Sequence, residues 1–262
     1  MSEAEIGIIG GTGVYDPSSM SDAEEISVDT EFGKPSDNLT LGTLFGRKVA
    51  FLPRHGQKHS FPPHKVPYRA NIAAMKRLGV SCIIAPSAVG SLSPVLPPGS
   101  IVVPDQFIDF SKGRSYSFHD DDAVHVSMAN PFCNELTGTA ARAAISKSIK
   151  VKMGGTYVSI EGPRFSTKAE SVFYKDVVHG DIIGMTLVPE VILAREAEIC
   201  YLTLATVTDY DVWERKPVSA EMVSAAMKKS SGQVRTLLGE IISSAPKERG
   251  CICKHALADA RL

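Results

Sequence analysis

An α/β fold in a single domain is what the sequence predicts, and three observations predict it. Short apolar runs rich in β-branched residues alternate with longer helical segments, the pattern of strands wound with helices. A chain of 262 residues with 44% hydrophobic content can bury one sizeable core, and no linker, repeat or low-complexity segment marks a second unit. Several strand-like runs also end in small or polar residues, and ligands collect at strand ends in open α/β sheets. The expected domain spans 1–262, with 245–262 a tail carrying a Cys-x-Cys.

Composition narrows the function classes. A net charge of -1 and a pI near 6.7 give no support to a nucleic-acid or acidic-membrane partner. No apolar run is long enough to span a bilayer, and the start MSEAEIGIIGG lacks the basic region of a signal peptide, so a cytoplasmic protein is expected. Five cysteines (Cys82, Cys133, Cys200, Cys251, Cys253) are too few and too spread for a secreted disulfide scaffold.

In chain order, Ile6 to Ile9 reads as a buried strand running into Gly10-Gly-Thr-Gly13, whose amides and Thr12 hydroxyl suit an anion. A dinucleotide site would need G-x-G-x-x-G leading straight into a helix; here Val14-Tyr-Asp-Pro17 and SSMSD look like a loop. Residues 38–44 and 47–52 form a hairpin around Phe45-Gly46, and its second strand delivers Arg54 and His55, a planar cation and a donor of adjustable charge. A metal at His55, His59 and His64 is not expected, since the strand, Gly56 and Pro62-Pro63 preclude the helix that their spacing needs.

Residues 68–78 read as a helix closed by Gly79, and 80–85 as a buried strand ending in a small-residue turn, Pro86-Ser-Ala-Val-Gly-Ser91. Three strand ends thus offer Thr12, Arg54 with His55, and Ser87. Residues 101–103 form another strand, and 105–122 a polar loop long enough to act as a lid or subunit contact. A helix over 132–148 and a strand over 155–160 follow, then Glu161-Gly-Pro-Arg-Phe-Ser-Thr167. Ser166 can cap a helix over 168–177, while Phe165 suits either the core or a flat ligand. The strand 181–186 ends in GMTLVPE, where Met185 either lies against a sugar or fills the core, and Pro189 starts a helix.

Tyr201 to Trp213 is an apolar run ending in Asp209 and Asp211, which share a face of a rigid element if the strand continues. Alone, such a pair is an ordinary solvated strand end. The last helix, 219–244, carries Val223, Ala226, Val234, Leu237, Leu238 and Ile241 on one stripe.

Taken together and in order, GIIGGTG, PRHG, SAVGSL, PDQFID, IEGPRFST, GMTLVPE and TDYD resemble the purine nucleoside phosphorylase superfamily of trimeric type, and within it archaeal-like 5'-methylthioadenosine phosphorylases. The resemblance implies a twisted mixed β-sheet, partly closed as a barrel and flanked by helices, in a homo-oligomer, either a trimer or a dimer of trimers. It implies no cofactor, with inorganic phosphate as co-substrate held by Thr12, Arg54, His55, Ser87 and Thr186. Ala88, Phe165, Ser166 and Met185 fall where ribose and base are lined, and Asp209 and Asp211 where N7 and the 6-amino group of adenine are read. His125 matches a residue that reaches a neighbouring subunit's 5'-substituent pocket, and Val218 and Val223 its apolar wall. In thermophilic archaeal relatives, Cys133 with Cys200, and the Cys251-Ile-Cys253 tail, are disulfide candidates. Gly184 departs from the Asn of many animal relatives.

The chemistry follows from the residue types. Phosphorolysis passes through an oxocarbenium-like sugar, so phosphate must be fixed on one side while the base leaves on the other. Asp209, raised by burial and by Asp211, can give N7 its proton, and Asp211 accepts from a 6-amino group but repels a 6-oxo group. Adenine is therefore favoured. The alternatives are a broader phosphorylase of adenosine, inosine or guanosine, a methylthioinosine phosphorylase, and a non-catalytic nucleoside-binding module.

Overall fold

Strands that meet helices on both faces carry apolar residues at nearly every position, and the central strands of this chain do so. The computed structural model describes residues 3–11, 19–213 and 217–261. Its first strand, β1 (Ile6–Gly10), is buried throughout, with Ile6 and Ile8 in one apolar cluster and Ile9 in the opposite one. β11 (Cys200–Asp209) is buried at all ten residues and alternates likewise, with Leu202 and Leu204 facing one way and Tyr201, Ala205 and Val207 the other. One face is covered by α1 (Tyr68–Arg77) and α4 (Glu190–Glu196), the other by α2 (Asn134–Ser146) and α5 (Ala220–Ser244).

Eleven strands make one mixed sheet. β2 (Ser21–Ile26) and β3 (Leu39–Leu44) form its outer edge, and β3 joins β4 (Arg47–Pro53) through the tight turn Phe45-Gly46, both residues at positive φ, as a two-residue hairpin requires. β4 runs parallel to β1, and β1 to β5 (Cys82–Ser91). At β5 the sheet forks. One edge of β5 pairs with β11 along its length. Its other edge pairs with β1 only at 82–84 and with β10 (Ile182–Gly184) only at Gly90 and Ser91. Beyond the fork, β10 leads to β9 (Thr156–Ile160) and β7 (Gln106–Phe110), while β11 leads to β6 (Ile101–Val103) and β8 (Val151–Met153). Among the described residues the pairing branches and does not close into a ring.

Several elements differ from the sequence expectation. Pro86 to Ser91 is not a turn but the second half of β5. A proline is tolerated there because the Pro86 carbonyl, on the side where its N–H would be, accepts from Arg54 and not from a strand. The loop 105–122 begins with β7, hidden in the sequence because its partner β9 supplies the ladder. β2 and β8 were not expected; β2 is almost wholly exposed and lacks an apolar face. The cap of α3 (Lys168–Val172) is Thr167 and not Ser166: its hydroxyl accepts from the Glu170 amide, and Glu170 accepts in return from the Thr167 amide. The helix then continues as one π-helical turn, Phe173–Val177. No described helix is long and apolar enough to cross a membrane.

Candidate active site

The unpaired edge of β5 opens a cavity of about 670 Å³, lined by Pro86, Ser87, Ala88, Val89 and Gly90 and by the ends of the strands around them. Gly11 follows β1, Arg54 and His55 follow β4, Gly184 ends β10 with Met185 and Thr186 after it, and Asp209 ends β11 with Asp211 just beyond. Phe165 and Ser166 reach it from the loop after β9, and Val223 and Met227 from α5. Sequence-predicted phosphate and nucleoside residues are thus brought together, apart from Thr12, which lies outside the described residues.

Arg54 is buried, and its guanidinium is held on every side. Nε and Nη2 donate to the two oxygens of Glu190 at 2.7 and 2.8 Å, Nη2 donates also to the Ile9 carbonyl at 2.9 Å, and Nη1 to that of Pro86 at 3.2 Å. Burial opposes its charge, but Glu190 more than restores it. The fork is thus turned to Glu190, and one Nη1 hydrogen remains for a ligand. Glu190, fully buried and also accepting from the Tyr201 hydroxyl at 2.8 Å, was missed because a helix-start acid normally faces solvent.

His55 Nδ1 lies 2.8 Å from the Phe61 carbonyl, so it carries the proton and Nε2 is the open nitrogen. Burial and the neighbouring Arg54 lower its pKa. The His55 ring stacks on His59 at 5.5 Å. Among buried side-chain atoms, Ser87 Oγ, Ser166 Oγ and Asp211 Oδ2 have no protein hydrogen-bond partner, so a ligand's polar groups can satisfy them.

The two acids do not share a strand face. β11 ends at Asp209, and Asp211 turns back with φ 50°, its amide donating to Asp209 Oδ1 at 2.8 Å. Asp209 Oδ2 accepts from the Thr208 hydroxyl at 2.7 Å. Burial raises the pKa of both, and Asp209 adds to the rise of Asp211. Gly90 makes room for the pair, since a Cβ there would lie 3.0 Å from Asp209 Oδ1. Gly184 has a similar cause: its Cβ would lie 2.0 Å from the Tyr157 hydroxyl, so the tyrosine occupies the space a side chain would take.

Phe165 is 38% exposed at the cavity mouth, which removes it from the core. Met185 packs on a small apolar cluster and also lines the cavity. Val223 lines the cavity, but Val218, before the Ser219 cap of α5, does not. His125 is exposed on a strap tied to the tail through the Ala260 carbonyl, outside this chain's cavity. All five cysteines are free thiols, so neither expected disulfide is formed, and Cys200 has Cys251 within 3.2 Å.

Comparison with known proteins agrees with this geometry. A family model described as the phosphorylase superfamily matches residues 5–243. The S-methyl-5'-thioadenosine phosphorylase of Nitrosopumilus maritimus is 54% identical over 98% of both chains. A crystal structure of a methylthioadenosine phosphorylase from an antarctic soil metagenomic library superposes with a TM-score of 0.91 at 44% identity, covering 100% of this chain and 93% of that one. That of Schistosoma mansoni methylthioadenosine phosphorylase with adenine also gives 0.91, at 38% identity over 98% of this chain and 99% of that one.

Proposed function

The chain belongs to the phosphorylase superfamily, and on that premise we propose that it cleaves 5'-methylthioadenosine with phosphate, giving adenine and 5-methylthioribose 1-phosphate. The observation that carries the proposal is the placing of two buried carboxyls, Asp209 and Asp211, in one cavity with Arg54, Ser87 and Thr186. Phosphate binds among Arg54, His55, Ser87 and Thr186, with Thr12 completing the set, and no cofactor is needed. Its charge stabilises the cation that develops at the sugar. Asp209, whose pKa burial raises, donates to N7 as adenine leaves. Asp211 Oδ2, without a protein partner, accepts from the 6-amino group. Phe165 and Met185 flank base and sugar, Ser166 offers a hydroxyl, and Val223 meets the 5' sulfur substituent. The working form is a cytoplasmic homo-oligomer, a trimer or dimer of trimers, in which His125 serves a neighbouring copy's cavity.

The test is adenine release from methylthioadenosine with and without phosphate, beside adenosine, inosine and guanosine. Phosphate-dependent release fastest with methylthioadenosine is the expected result. Faster turnover of inosine or guanosine would overturn the reading of the two acids while leaving the phosphate site standing. Binding of nucleosides without turnover would replace the enzyme with a binding module.

A further inference from the structure

Far from the cavity, four cysteines meet. Cys133 is the N-cap of α2, Cys200 opens β11, and Cys251 and Cys253 flank Ile252 where the tail makes its short 3-10 turn, Ile252–His255. Their four Sγ atoms all lie within 4.8 Å of one another, with Cys200 and Cys251 3.2 Å apart. Cys133, Cys200 and Cys253 are buried and Cys251 is half-buried, which leaves the cluster one side open to entry. Asp209 stands at the other end of β11, about 30 Å away at the rise of an extended strand, so the cluster has no part in the reaction.

We propose that Cys133, Cys200, Cys251 and Cys253 bind one zinc ion as a closed, tetrahedral, structural site that fastens the tail to the sheet. Four thiolates are a set that zinc takes in structural sites, with Zn–S about 2.3 Å, which makes each S–S edge about 3.8 Å. With Cys200 and Cys251 at 3.2 Å and every pair within 4.8 Å, the sulfurs reach that edge by shifts of about 1 Å. No fifth position is needed and no water is activated.

The surroundings fit the charge. Four thiolates and a dication leave two negative charges. Two guanidinium groups face them: Arg195 Nη1 is 3.7 Å from Cys253 Sγ, and Arg249 Nη1 is 4.0 Å from Cys200 Sγ. Both are held from behind, Arg195 by the Asn130 carbonyl and Arg249 by that of Glu198. Such outer groups orient ligands and tune a metal site. The four sulfurs form one group, each with the other three within 4.8 Å, which a tetrahedral site requires and two separate disulfides do not. Each thiol that enters protonated gives up its proton to solvent, and no electron is transferred.

The test uses the full chain, purified under reducing conditions without a metal-affinity step, and reads zinc by elemental analysis. About one zinc per chain is expected, retained in C82S and lost in C251S and in C253S; Cys82 lies outside the group of four and serves as the control. Should a serine variant fail to fold, cobalt(II) added to the chelator-stripped wild-type chain replaces it, with the absorption of tetrahedral thiolate-bound cobalt expected at one equivalent. Removal of zinc should lower Tm while leaving kcat unchanged. Metal-free protein with five free thiols, metal-free protein with these cysteines in disulfides by non-reducing peptide mapping, zinc that survives in both C251S and C253S, or cobalt without a tetrahedral spectrum would each overturn the proposal.

Discussion

Asp209 and Asp211 are carboxyls that the fold makes costly to ionise, and this cost can be measured. Their native pKa values lie above the unfolded ones, so between the two values the native chain holds more protons. Stability is therefore unaffected below the unfolded value and falls as pH rises towards and through the native one. Asp211→Asn should raise Tm at neutral pH by about 2–4 °C, the effect of about 1 kcal/mol in a chain of this size, and by nothing near pH 3. Equal gains at both pH values in thermal melts would show that ionisation is not the cost. Asp209→Asn removes the donated proton: kcat should fall about 10²- to 10⁴-fold with nucleoside Kd little changed, and unchanged turnover would remove Asp209 from the acid role. His55 behaves oppositely. It is neutral when empty, with its proton fixed on Nδ1 by Phe61, so phosphate arriving at Nε2 should draw a second proton onto the ring. Calorimetry of phosphate binding near neutral pH, in buffers of differing ionisation heat, should show proton uptake that disappears in His55→Gln. Uptake that persists in the variant would place the proton elsewhere.

At the scale of elements, the Arg54–Glu190 pair ties the end of β4 to the start of α4 and so sets the floor of the cavity. The pair lies where β5 is unpaired, and Arg54 bonds to the β1 and β5 carbonyls of Ile9 and Pro86. Removing one partner of a buried pair leaves an uncompensated charge, so Glu190→Gln should cost about 3–5 kcal/mol. Phosphate supplies negative charge to the same guanidinium, and added phosphate should therefore raise the Tm of the variant more than that of the wild type. Equal shifts would separate Arg54 from the phosphate site. This coupling was not legible in the sequence. Arg54 was visible at a strand end, but its partner is 136 residues later, at a helix start where an acid has a ready local explanation. The second half of β5 was hidden for a related reason: Pro86, Ser87, Ala88 and Gly90 have low strand propensity, and pairing with β11 overrides it.

At the scale of the whole molecule, most of the fold was legible because its central strands are apolar on both faces and its hairpin and the glycine closing α1 have local causes. Among the candidate site residues, Arg54, His55, Thr186 and Asp209 were legible because they sit at or just past strand ends, whereas Ser87 and Ala88 lie inside β5 and the fork that gathers them depends on pairings between distant segments. His125 is exposed and tied to the tail instead of facing its own cavity. Phe165, Val172, Phe173 and Val177 are 38–64% exposed along one short stretch, an apolar concentration suited to burial against another copy. We expect sedimentation of the wild-type chain to give a trimer or hexamer, and Phe173→Glu with Val177→Glu to shift it to monomer, since two desolvated charges would oppose the contact. If His125 completes a neighbouring cavity, that monomer should retain its fold and phosphate binding but lose affinity for methylthioadenosine, as His125→Ala should in the intact oligomer. An oligomer unaffected by both glutamates would move the interface elsewhere. A monomer that binds methylthioadenosine as tightly as wild type would confine the 5' pocket to one chain, with Val223 and Met227 as its wall.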